Sequence, residues 1–127
     1  MSDTPYTGAR YDEMPSLWDG FANLVRPALG LSAFGANVMN LPPDYETVAH
    51  DESHSGQQEL YVGLRGSGWI VTRDGERLTL DAEHVVAVGP PTSRTLASGP
   101  EGLRVLIIGS KPGGYEAPEW LEGDGAE

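Results

Sequence analysis

Two histidines and three acidic residues crowd the stretch HDESHSGQQE, as His50, Asp51, Glu52, His54 and Glu59. Nowhere else in the chain are side chains able to ligate a metal so dense. Residues two apart on an extended strand share a face, so His50 and Glu52 project together, and Glu59 and Tyr61 do the same from the next strand. Imidazole nitrogens and carboxylate oxygens in such a set hold iron, manganese, nickel, copper or zinc. The spacing leaves two readings open: His50, Glu52, His54 and Glu59 around one ion, or solvated polar residues at a strand end. The chain has no cysteine, which excludes disulfides and zinc-thiolate sites, so any metal must be held by nitrogen and oxygen.

The chain that positions these residues has 127 residues, 39% of them hydrophobic, enough for one compact core and not comfortably for two. Its formal charge of -11 repels a phosphate backbone, and no basic stripe offsets that repulsion, so nucleic acid is not the expected partner. The first thirty residues lack a basic and then apolar leader, and no apolar run reaches the length of a membrane span. The expected location is the cytoplasm, without membrane contact.

Residues 1–30 read as an N-terminal extension, in which Trp18, Phe21, Leu24 and Val25 recur at three and four positions and predict a short amphipathic helix between Pro15 and Val25, ended by Pro27 and Gly30. From Leu31 the texture changes to short β-prone runs separated by Gly, Pro, Asn and Asp. The predicted strands are Leu31 to Leu41, Tyr45 to His50, Glu59 to Leu64, Trp69 to Arg73, Arg77 to Leu80, Val85 to Val88, Arg94 to Ala97 and Leu103 to Ile108. Asp74 and Gly75 predict a type I′ hairpin turn. The continuously apolar Val85 to Val88 run predicts a strand covered on both faces. Residues 31–110 thus form an all-β jelly-roll barrel, and residues 111–127 an acidic Gly/Pro-rich tail, disordered unless Tyr115 and Trp120 dock.

Glu52 to Gly66 and Val85 to Arg94 together resemble the two motifs of a cupin. The first motif places a glycine seven residues after its glutamate, as Gly66 follows Glu59. The second joins an apolar strand to a turn, here Val85 to Val88 and Gly89-Pro90-Pro91. The resemblance implies a double-stranded β-helix and a barrel cavity; it leaves a divalent metal such as Fe, Mn, Ni or Zn open and does not require one. It also exposes two departures. Only one histidine of the first motif's pair is present in either register, and the histidine of the second motif is replaced by Arg94. A guanidinium has no lone pair to offer and cannot ligate a cation. Arg94 is therefore expected to occupy the charge position of the metal, between Glu52 and Glu59, either neutralising them or anchoring an anionic ligand.

The expected function is binding of a small organic molecule by His50, Glu52, His54, Glu59 and Arg94, with Tyr61 and Trp69 as apolar walls, in a homodimer that covers a sheet edge. The competing reading is a metal-dependent oxygenase, isomerase or cyclase using His50, Glu52, His54 and Glu59 as ligands, with Glu59 as the candidate catalytic base. A metal-free enzyme with the same base stays open, as does an interaction protein whose barrel is filled by its own side chains. Other signals are set aside. The run Gly63 to Gly68 has the glycines of a phosphate loop and no helix after it. Ser53 and Ser55 lie near His54 without an orienting acid, and His84 reads as a surface residue. Phe34, Tyr61 and Trp69 are core candidates as much as pocket walls.

Overall fold

The computed structural model describes residues 5–121. Its strands are β1 (Ser16–Leu17), β2 (Ala22–Leu24), β3 (Gly35–Leu41), β4 (Gln58–Thr72), β5 (Arg77–Asp81), β6 (Val85–Val88) and β7 (Arg94–Ser110), with one short helix, α1 (Val25–Leu29). Every pairing is antiparallel, in the order β1-β2-β3-β7-β4-β5, and β6 also pairs with β4. The expected all-β jelly roll is what forms, and the N-terminal segment adds β1 and β2 to its sheet.

The frame is the pairing of β4 with β7, from Gln58 opposite Ser110 to Thr72 opposite Arg94. Each of these long strands joins two of the runs anticipated separately. The register shifts between Gly63 and Arg65 and again between Gly66 and Gly68, and such bulges bend a strand without ending it. Gly66 explains its own place in the motif: its φ is 78°, and a Cβ there would strike the carbonyl of Gly102. Only glycine satisfies both demands. The glycine run from Gly63 to Gly68 thus serves strand curvature.

Three local readings are corrected. No helix spans Pro15 to Val25; that region is the β1–β2 hairpin, in which Asp19 (φ 55°) and Gly20 (φ 89°) form the centre of a turn closed by Phe21 N–H donating to Trp18 O at 3.1 Å. Two positive φ values in succession are the type I′ signature. The helix lies further on as α1, with Pro27 in its first turn, where a missing N–H costs no bond, and Gly30 (φ 71°) as its left-handed cap. The second correction concerns Asp74-Gly75, where the hairpin forms but only Gly75 has positive φ, at 90°. Gly75 N–H donates to Thr72 O at 2.9 Å, a longer loop closed by one left-handed glycine. Third, β6 is covered on one face: Val86 and Val88 are buried, whereas Val85 is 60% exposed.

The predicted strand Tyr45 to His50 runs beside β7 through isolated bridges, Glu46 opposite Ala97 and His50 opposite Arg94. Side chains complete the ladder, with Leu96 N–H donating to Thr47 Oγ1 at 3.0 Å and Tyr45 N–H to Ser98 Oγ at 2.9 Å. Alternation along the strands builds two clusters. Leu41, Tyr61, Ile70, Leu80, Leu96, Leu103 and Val105 form the core inside the barrel. On the other face of β3, Ala36 and Val38 pack against Met14 and Val25, with Leu29 and Leu106 alongside. Tyr115 and Trp120 are exposed and do not dock on the body, and residues 122–127 of the expected tail lie outside the described residues. Among the described residues no helix is long and apolar enough to cross a membrane.

Candidate functional site

Arg94 begins β7 with its side chain turned into the barrel, where only 1% of it is exposed. A buried guanidinium needs partners for its donors. Its Nη2 donates to Glu59 Oε1 at 2.6 Å, its Nε to the Tyr61 hydroxyl at 3.1 Å, and its Nη1 to the carbonyls of Thr92 at 2.8 Å and Gly89 at 3.4 Å. The last two bonds fasten Arg94 to the Gly89-Pro90-Pro91 turn from which its strand starts. Tyr61 in turn donates to Glu59 Oε1 at 2.7 Å, so Arg94, Tyr61 and Glu59 close a ring of charge-assisted bonds. Glu59 and Tyr61 share a face because they lie two apart on β4.

Burial, and then the bond to Glu59, raise the Tyr61 hydroxyl above its ordinary value of 10.0, so it remains a donor at neutral pH. Burial opposes the charge of Arg94, but its bonds to Tyr61 and Glu59 more than offset this and raise its pKa further. Arg94 is thus a permanent cation spent on one carboxylate.

His50 faces Arg94 on the same bridge, with His50 N–H donating to Arg94 O at 3.0 Å and Arg94 N–H to His50 O at 2.9 Å. Its ring lies more loosely: Nε2 is 3.4 Å from Glu52 Oε2 and 3.6 Å from Glu59 Oε1, and 48% of the side chain is exposed. Glu52 is anchored by its N–H to Pro90 O at 2.8 Å, and its carboxylate accepts from Ser55 Oγ at 2.7 Å. The expected clamp of one arginine on two glutamates is corrected here. Arg94 holds Glu59 alone, and Glu52 is served by Ser55 and His50.

His50, Glu59, Tyr61 and Arg94 form the polar end of a cavity of about 680 Å³, whose walls include Trp18, Phe21, Met39, Tyr45, Leu96 and Ile107. The remaining expected site residues do not line it, Glu52 among them, which meets the polar end only through His50 at 3.4 Å. His54 is 79% exposed and reaches Glu52 only at 4.0 Å. Trp69 is not a cavity wall; its ring is covered by the Arg77 guanidinium at 3.9 Å. Phe34 is also away from the cavity, and His84 is on the surface, 2.8 Å from Asp81. Sequence reasoning missed Trp18, Phe21 and Tyr45, which stack edge to face, Trp18 on Phe21 at 6.3 Å and Phe21 on Tyr45 at 5.6 Å. The available signal was Asp19-Gly20, which read as a hairpin turn would have brought Trp18 and Phe21 against the barrel.

His50, Glu52 and Glu59 each offer one ligand atom within 4.8 Å of the others, a group that could hold a metal ion. The fit is partial. Glu59 Oε1 already accepts from Arg94 and Tyr61, and the fourth place is taken by a cation that cannot ligate.

No protein-family profile and no curated protein matches the sequence. Solved structures do match. A cupin protein from Bacteroides fragilis has a TM-score of 0.74 at 20% identity, covering 94% of this chain and 96% of that one. An RmlC-like cupin from Desulfovibrio desulfuricans has a TM-score of 0.60 at 16% identity, over 87% and 96% of the two chains. A sugar phosphate isomerase of the cupin superfamily from Silicibacter pomeroyi has a TM-score of 0.58 at 20% identity, over 71% and 58%. These likenesses, with the antiparallel roll and the motifs around Glu59 and Val85, show that the chain is built on the cupin fold.

Proposed function

We propose that the protein binds a small organic molecule in its barrel cavity. The cavity itself carries this reading: about 680 Å³ of space with apolar walls and one polar end, within the size and character of small-molecule sites. The space also speaks against a barrel filled by its own side chains. The polar end is rich in acceptors. Arg94 has spent its Nε, Nη1 and one Nη2 donor on the protein, and among the described residues no hydrogen bond engages Glu59 Oε2. The ligand is therefore a hydrogen-bond donor. A sugar phosphate, the substrate class named for the Silicibacter neighbour, would find no free guanidinium here.

A thermal-shift screen of small organic molecules on the wild type and on Ile107→Trp tests the reading. Compounds that raise Tm should do so less in the variant, because the indole narrows the cavity. Equal responses in both proteins would place binding elsewhere.

The second reading is a metal-dependent enzyme in which His50, Glu52 and Glu59 hold the ion. Glu59 would be its base through Oε2. Here Arg94 lowers the charge of the donor set, and the metal would be weakly held unless the substrate completes its coordination.

A further inference from the structure

We propose that the ligand is an organic ammonium: a protonated amine on a compact apolar or aromatic body, with its nitrogen among Glu59, Glu52 and His50 and its body against Phe21 and Tyr45. This rests on the small-molecule reading above and narrows it to one charge class.

Charge decides between cation and anion. Among the described residues lining the cavity, the one permanent cation is Arg94, and it is buried and bonded to Glu59, Tyr61, Thr92 and Gly89. Glu59 lines the cavity beside this guanidinium, and Glu52, which is not a lining residue, adds a second carboxylate 3.4 Å from His50 Nε2, so the group around His50 carries one net negative charge. The whole chain, at -11, adds to the potential that draws a cation and repels an anion. An ammonium brings three N–H donors and needs no lone pair. Acceptors await them in Glu59 Oε2, which no described residue bonds, and in the Glu52 carboxylate on the other side of His50 Nε2, 3.4 Å away.

Ring geometry agrees. Trp18 meets Phe21 at an interplanar angle of 68°, and Phe21 meets Tyr45 at 62°, so successive rings turn corners along the wall. Their apolar area covers the body of the ligand.

The test uses three matched probes, 2-phenylethylamine, 2-phenylethanol and 3-phenylpropionate, titrated calorimetrically into the full chain with EDTA present to remove metal. The amine should bind at least about tenfold tighter than the alcohol, a difference of about 1.4 kcal/mol, and the carboxylate more weakly than either. Glu52→Gln leaves the Arg94–Glu59 pair intact and should reduce the preference for amine over alcohol by about threefold or more. Glu59→Gln, if circular dichroism shows it folded, should erase the preference. An alcohol or carboxylate bound as tightly as the amine would overturn the ammonium assignment while leaving the small-molecule reading intact. So would an amine preference unchanged in Glu52→Gln. Failure of all three probes to bind would count against the small-molecule reading and the assignment with it.

Discussion

Arg94 and His50 are partners on one antiparallel bridge, yet their side chains have opposite circumstances. Arg94 is buried with its donors bonded at 2.6 to 3.4 Å, and His50 is half exposed, with its nearest carboxylate oxygens at 3.4 and 3.6 Å. One half of the site is closed structure, and the other half has unfilled capacity for a ligand. The fold produces this difference. Arg94, Tyr61 and Glu59 lie on β7 and β4, the longest pair in the barrel, whereas His50 and Glu52 belong to a segment joined to it by bridges and turn bonds.

The comparison breaks most readily at Arg94. Arg94→Ala leaves Glu59 buried beside a vacated space and should cost about 3 to 5 kcal/mol in chemical denaturation. His50→Ala should stay within about 0.5 to 1 kcal/mol while ligand affinity falls. Comparable losses in both variants would remove the distinction between the two halves. Next in size, Tyr61→Phe takes from Arg94 Nε its only acceptor among the described residues and should cost about 1 to 3 kcal/mol, read as a lower denaturation midpoint at unchanged slope.

The Glu59 and Arg94 positions of the closed half were legible in the sequence, because their information is local; Tyr61, expected as an apolar wall, instead links the two through its hydroxyl. Glu59 and Gly66 keep a fixed interval on one strand, and Arg94 lies a fixed distance beyond the Gly89-Pro90-Pro91 turn. The open half was not. That Glu52 would turn to Ser55, or that His54 would point to solvent, depends on how the loop closes on Pro90, which spacing does not encode. The N-terminal error had a different source. Trp18, Phe21 and Val25 are apolar at helical intervals because they serve two surfaces, Trp18 and Phe21 the cavity and Val25 the cluster outside the sheet. Two burial sites reached from one hairpin imitate the single face of a helix.

That hairpin supplies a smaller test. Trp18 holds a left-handed φ of 53°, strained for a bulky residue, with its ring 69% exposed at the cavity wall. Trp18→Gly should relieve strain and raise stability by up to about 1 kcal/mol while weakening ligand binding. A loss of stability with unchanged binding would mean that Trp18 serves the fold alone.

The smallest effect concerns a surface far from the site. Bonding to His84 holds the Asp81 carboxyl below its ordinary 3.8. A carboxyl lowered on folding stabilises above its unfolded pKa and loses that contribution as pH falls through the folded one. Asp81→Asn should therefore narrow the Tm difference between pH 7 and pH 3 slightly and leave cavity binding unchanged.

The central claim is that the Arg94 guanidinium, at a position where a histidine could ligate, competes with a metal for Glu59, and metal affinity tests it directly. Calorimetric titration of Mn²⁺ and Zn²⁺ into the wild type and Arg94→His, both confirmed folded by circular dichroism, compares the two occupants of that position. Histidine supplies a lone pair and removes a competing charge, so Arg94→His should bind at least about tenfold tighter. A wild type that binds either ion as tightly as Arg94→His would contradict the account.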